Sequence, residues 1–120
     1  GGTHSLDGVD FTGSGTVNIT SGEVDTTGAG ATLSSDTPLV LSGGYPAPIL
    51  GGSGPLTLNG PFEWGHANIQ GTGALTNNAT MTISGTDAKV IDTRTITNHG
   101  TTNVTGTGIV YFQNGASFDN

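Results

Sequence analysis

LTNNATMTISG (75–85) is followed, 21 residues on, by ITNHGTTNVTG (96–106). The two segments align without a gap. Thr76/Thr97, Asn77/Asn98, Thr80/Thr101 and Gly85/Gly106 are identical, and Leu75/Ile96 and Ile83/Val104 exchange one apolar residue for another. A near-copy at a period of about 20 residues is the mark of a solenoid: one unit cannot bury its apolar face alone, so the next unit covers it.

Working outward, Gly-(Ser/Thr)-Gly-x-(Val/Leu) occurs as GSGTV at 13, GSGPL at 52, GTGAL at 71 and GTGIV at 106. The spacings of 39, 19 and 35 read as two, one and two units of a period between 17 and 20. Between these glycines lie the triplets Val17-Asn18-Ile19, Leu56-Thr57-Leu58, Met81-Thr82-Ile83 and Thr102-Asn103-Val104. Alternate side chains of a strand face opposite ways, so the outer members of each triplet point inward and the Thr or Asn points out. Gly and Asn supply the positive φ of tight corners, and Thr and Val suit the pleated surface. No window carries the 3.6-residue period of an amphipathic helix. The pattern predicts an all-β chain, a parallel β-helix (β-solenoid) of about six short coils, some 29 Å long at about 4.8 Å per coil. An antiparallel β-sandwich is the alternative, since short strands and frequent turns suit it too. Against it, the repeats are translational rather than mirrored.

Residues 1–120 read as a single β-solenoid domain or segment. GGYPAPIL (43–50), with Pro46 and Pro48, interrupts it, because proline is excluded from central ladders; this stretch is expected to leave the coil as a loop with Tyr45 near its tip. Asn77 and Asn98 hold one place in successive copies and predict a structural amide ladder, continued by Asn114, with Asn120 a further member.

Composition narrows the function. Charged residues make up 9% of the chain, against roughly 25% in an average domain. Gly numbers 22 and Thr 21. Low hydrophobicity raises intrinsic disorder as a reading, but the apolar residues fall in alternating triplets that disordered chains lack. The formal net charge of −7 argues against nucleic acid and anionic membranes as partners. No apolar run approaches the length of a membrane span. Cysteine is absent, which excludes disulfides and thiol chemistry and suits a bacterial extracellular protein. The opening GGTHSLDG reads as a mature or trimmed start without a signal peptide.

From Trp64 onward, the order Gly71-Thr-Gly73, Leu75-Thr-Asn77, Ile83-Ser-Gly85, Thr95-Ile-Thr-Asn98, Gly106-Thr-Gly108 and Phe112-Gln-Asn-Gly-Ala-Ser-Phe118 resembles the degenerate Gly/Thr/Asn repeats of large secreted bacterial surface proteins, haemagglutinin-like or autotransporter-like. The resemblance covers about residues 50–120. It implies a right-handed parallel β-helix, an extracellular or cell-surface setting, and a structural, adhesive or filament-forming role. It transfers no catalytic residue. Head-to-tail association through the solenoid ends fits such a module, because an uncapped solenoid leaves strand edges unpaired.

Phe62-Glu63-Trp64-Gly65-His66 is the most informative short cluster. By alternation Phe62, Trp64 and His66 share one face. Turned outward, with Glu63 and His66 as hydrogen-bonding groups and Tyr45 extending it, that face is an aromatic platform for a polysaccharide. Turned inward, Phe62 and Trp64 fill the interior, where large aromatics usually lie. Asp87, Lys89, Asp92 and Arg94 include the chain's only Lys and Arg. Asp87, Asp92 and Arg94 suggest a glycan-cleaving cluster; the plainer reading is ion pairs Asp87–Lys89 and Asp92–Arg94 on a solvated face. Thr80-x-Thr82 and Thr93-x-Thr95-x-Thr97 suggest an ice-binding array, which should recur at one position in each coil. Asn18-Ile-Thr20, Asn78-Ala-Thr80 and Asn103-Val-Thr105 match the glycosylation acceptor pattern. His4, His66 and His99 lack metal-ligand spacing, and neither metal nor cofactor is expected.

Overall fold

The computed structural model describes residues 2–120. It is all β, with no helix among the described residues, and therefore no helix long and apolar enough to cross a membrane. Seventeen strands of three or four residues build three parallel sheets. Sheet A holds β1 (Thr3–Leu6), β4 (Glu23–Thr26), β7 (Ile49–Gly52), β10 (Asn68–Gln70), β13 (Lys89–Asp92) and β16 (Val110–Gln113). Sheet B holds β2 (Val9–Phe11), β5 (Ala31–Leu33), β8 (Leu56–Leu58), β11 (Leu75–Asn77), β14 (Thr95–Asn98) and β17 (Ser117–Asp119). Sheet C holds β3 (Val17–Ile19), β6 (Leu39–Leu41), β9 (Phe62–Trp64), β12 (Met81–Ile83) and β15 (Thr102–Val104). The chain visits A, B and C in turn. It makes five complete coils and two strands of a sixth, a parallel β-solenoid measuring 33 × 26 × 26 Å.

All four predicted triplets are strands, and the 21-residue offset of the opening repeat is the pairing register, Leu75 with Ile96 and Met81 with Thr102. The period is longer and less regular than the glycine motifs imply. Ile49 pairs with Asn68, a step of 19 residues, whereas Glu23 pairs with Ile49, a step of 26. The motifs misled because they stand at different corners. Those at 52 and 71 stack at the A-to-B corner, where a Cβ on Gly73 would collide with the backbone of Gly54. The motif at 13 lies between sheets B and C, and that at 106 between C and A. The Pro-rich loop is shorter than expected: it spans 42–48, and Ile49 and Leu50 already belong to β7.

Inward residues stack in columns down the axis. Sheet C contributes Val17–Leu39–Phe62–Met81–Thr102 and Ile19–Leu41–Trp64–Ile83–Val104. Sheet A contributes His4–Val24–Leu50–Ile69–Ile91–Phe112. The middle members of these columns are buried, each large side chain there contributing about 1.5–3 kcal/mol by leaving water. One sheet B column changes chemistry midway, from Phe11, Leu33 and Leu58 to Asn77 and Asn98.

Candidate functional site

The residues that carry chemistry lie mostly at two of the three corners. At the A-to-B corner, Arg94 is fully buried. Its Nη1 donates to the carbonyls of Gly51 (2.9 Å) and Gln70 (3.0 Å). Its Nη2 donates to Thr26 Oγ1 (3.1 Å) and the Gly54 carbonyl (3.3 Å). Burial pushes its pKa down to about 10, with the Asp25 carboxylate acting in the opposite sense. The expected Asp92–Arg94 ion pair does not form. Asp92 instead accepts from Asn114 Nδ2 (2.8 Å) and Thr93 Oγ1 (2.9 Å), bonds that hold its pKa below the usual carboxylate value. The Asp87–Lys89 pair does not form either. Lys89 is buried and its Nζ donates to the main-chain carbonyl of Asp87 (3.0 Å); burial lowers its pKa, opposed by the Asp87 charge. Asp87 precedes β13 at the C-to-A corner and Asp92 ends that strand next to the A-to-B corner, so Asp87, Asp92 and Arg94 form no joint site. Polarity argues for a solvated Arg and Lys, while the buried carbonyls that accept from them come together only in three dimensions.

The C-to-A corner gathers the second group. Phe62 and Trp64 point into the core, at 1% and 0% exposure, and the Trp64 indole donates to the Ala67 carbonyl (3.0 Å). Of the two alternatives for Phe62 and Trp64 the inward one holds, so neither belongs to an outward aromatic platform. The inward turn wins because Phe62 and Trp64 continue the Leu39 and Leu41 columns, where an outward turn would strip the core. Glu63, between them, faces solvent and accepts from Ser84 Oγ at 3.1 Å. His66 is also buried, beneath the 42–48 loop. Its Nδ1 lies 3.0 Å from the Gly43 carbonyl and 4.0 Å from Asp87 Oδ2, and its ring meets that of Tyr45 edge-on at 5.0 Å. Tyr45 is 81% exposed. The structure thus keeps Tyr45 and His66 together and adds Asp87, which the sequence reading placed elsewhere. The near-20-residue spacing of 45, 66 and 87 is the signal that would have grouped them.

The amide ladder exists with one member exchanged. Asn77 Nδ2 donates to Asn98 Oδ1 (2.7 Å), and Asn98 Nδ2 to Asn120 Oδ1 (2.8 Å). Asn114 is not part of it; it takes a positive φ of 53° at the A-to-B corner and bonds Asp92. Asn120 lies 22 residues beyond Asn98, one coil, whereas Asn114 lies 16 beyond. The ice-binding array also takes another form. Thr82 shares its outward column with Asn18, Val40, Glu63 and Asn103, so no threonine recurs there. Thr32, Thr57, Thr76 and Thr97 do form one column on sheet B, but it is a single residue wide. Among the described residues, no three His, Asp or Glu side chains are grouped to hold a metal ion.

The solenoid's ends are the remaining candidate surfaces. At one end Leu6, Phe11, Val17, Ile19, Val24 and Leu39 line an open apolar hollow. At the other, Ile83, Ile91, Val110, Phe112 and Phe118 surround a second hollow with Trp64 at its floor. Strands β1, β2 and β3, and at the far end β16, β17 and β15, are each paired on one side only. No family model matches the chain, and comparison with curated proteins and with solved structures gives no match.

Proposed function

We propose that this chain is a non-catalytic structural module of an extracellular bacterial surface protein, and that its solenoid ends join it head to tail to a second copy. The observation that carries this reading is the pair of open ends. Each presents unpaired strand edges in all three sheets around an apolar hollow. Phe112, an inward-column residue, is left 52% exposed at one end. Unpaired edges are templates for further strands, and a stacked coil covers such a surface where no capping segment does. The acidity, the absence of Cys and the likeness to secreted surface repeats support the extracellular setting. The lack of a catalytic role accords with the buried cations, since Arg94 and Lys89 are engaged by main-chain carbonyls.

The joint is weak by construction. Set in register, β1 of the second copy adds to β16 and β2 to β17. Sheet C stops a coil earlier at β15, so one strand's width stays open there. A face about 26 Å across is small for a specific interface, and two chains of net charge −7 repel. Association should therefore grow with salt, which screens that repulsion. Sedimentation velocity up to about 1 mM protein, where an interaction worth about 4 kcal/mol already shows, tests this at low and high salt. The expected result is reversible, salt-promoted elongation that Phe112→Asp removes. A chain that stays monomeric throughout, or a Phe112→Asp variant that associates as well, overturns the reading.

A further inference from the structure

The C-to-A corner is crossed five times. Two crossings take three residues (20–22 and 65–67) and two take five (84–88 and 105–109), but the one between β6 and β7 takes seven, 42–48. Of the residues in the longer crossing only Pro48 is buried. The crossing places Tyr45, the most exposed of the large hydrophobic side chains among the described residues, on the surface. Two prolines within it, Pro46 and Pro48, restrict its backbone. The next crossing supplies a prop: buried His66 engages the loop's Gly43 carbonyl through Nδ1 and the Tyr45 ring through its own ring. The crossing after that brings Asp87, whose half-exposed carboxylate reaches within 4.0 Å of the same imidazole. Three successive coils thus present a held, open aromatic ring and a free carboxylate around one support.

We propose that this corner is a binding site for a neutral polysaccharide. The Tyr45 ring offers an apolar face for the C–H face of a pyranose, and the Asp87 carboxylate accepts hydrogen bonds from ring hydroxyls beside it. His66 holds the ring in place, which lowers the ordering cost of binding. Charge selects the class: a chain of net charge −7, with a carboxylate in the site itself, repels acidic glycans. The site is independent of the solenoid ends and does not require the joining of copies.

Affinity electrophoresis through gels containing hydroxyethyl cellulose, β-glucan, mannan or xylan tests it, with polygalacturonate as the acidic comparator and a lysine-rich peptide as the cationic one. Wild type should be retarded by at least one neutral polymer, with little dependence on salt. Tyr45→Ala should weaken that binding about tenfold and Asp87→Asn about threefold. Trp64, buried 0% exposed beneath the corner, reports the fold of both variants through an unchanged blue emission. Retention by no neutral polymer overturns the proposal. So does binding confined to polygalacturonate or to the lysine-rich peptide, and so does a folded Tyr45→Ala variant that binds as tightly as wild type.

Discussion

Four acceptors hold the guanidinium of Arg94, the farthest of them 68 residues away in sequence. A short polar side chain would satisfy one of those groups; the planar fork of Arg satisfies several at once. Its cost is visible in the pKa, driven down to about 10 by burial, and in Nε, which finds no partner. Removing it takes the side-chain donor from the Gln70 carbonyl and leaves the Gly51 and Gly54 carbonyls to share the single hydroxyl of Thr26. Arg94→Ala should therefore lose about 2–5 kcal/mol in urea unfolding, from the lost donors and the void left by the side chain. A loss below about 1 kcal/mol would mean that water replaces the guanidinium without difficulty. The sequence hides this role. Arg94 lies two residues from Asp92, and alternation alone pairs the two; in the structure Thr93, with a positive φ of 67°, breaks the alternation and swings Arg94 inward.

At the level of the strand, much was legible. Leu56-Thr57-Leu58 and Met81-Thr82-Ile83 show their inward and outward faces in the sequence, because in a strand polarity maps directly onto side-chain direction. The amide ladder was legible in kind, and its third member was mistaken because a corner Asn and an inward Asn look alike without the register. The ladder is polarised. Each amide donates toward the next coil, and Asn77 Oδ1, which faces the leucine column, is left unpaired. Asn98→Ala breaks two inter-coil bonds and should cost about 1–3 kcal/mol. Replacing Asn77 and Asn98 together with Leu extends the Leu33–Leu58 column and removes the orphaned oxygen. That double variant should unfold at a higher urea concentration than Asn98→Ala, since deleting both partners of a buried bond is milder than deleting one. Equal midpoints would show that the amides contribute through packing alone.

For the molecule as a whole, the translational repeat decided between solenoid and sandwich, and it did so because stacked coils must match one another residue for residue. Candidate sites were harder to read. The site proposed at the C-to-A corner draws on residues one coil apart, Tyr45, His66 and Asp87, which a search for local clusters passes over in favour of Phe62 and Trp64. The ends were foreseeable in principle, as any open stack has them.

A stack of like units, each touching only its neighbours, would lose its protons to solvent from the ends inward, layer by layer. Arg94 touches Thr26, Gly51, Gly54 and Gln70, and so ties the fifth coil to the second, third and fourth. In amide hydrogen exchange, the strands from β4 to β14 should then open with one shared free energy, while β1, β2, β16 and β17 exchange sooner. With Ala at position 94 the shared value should break into a gradient that climbs toward the middle. A gradient already present in the wild type would mean that the coils open independently despite the buried guanidinium.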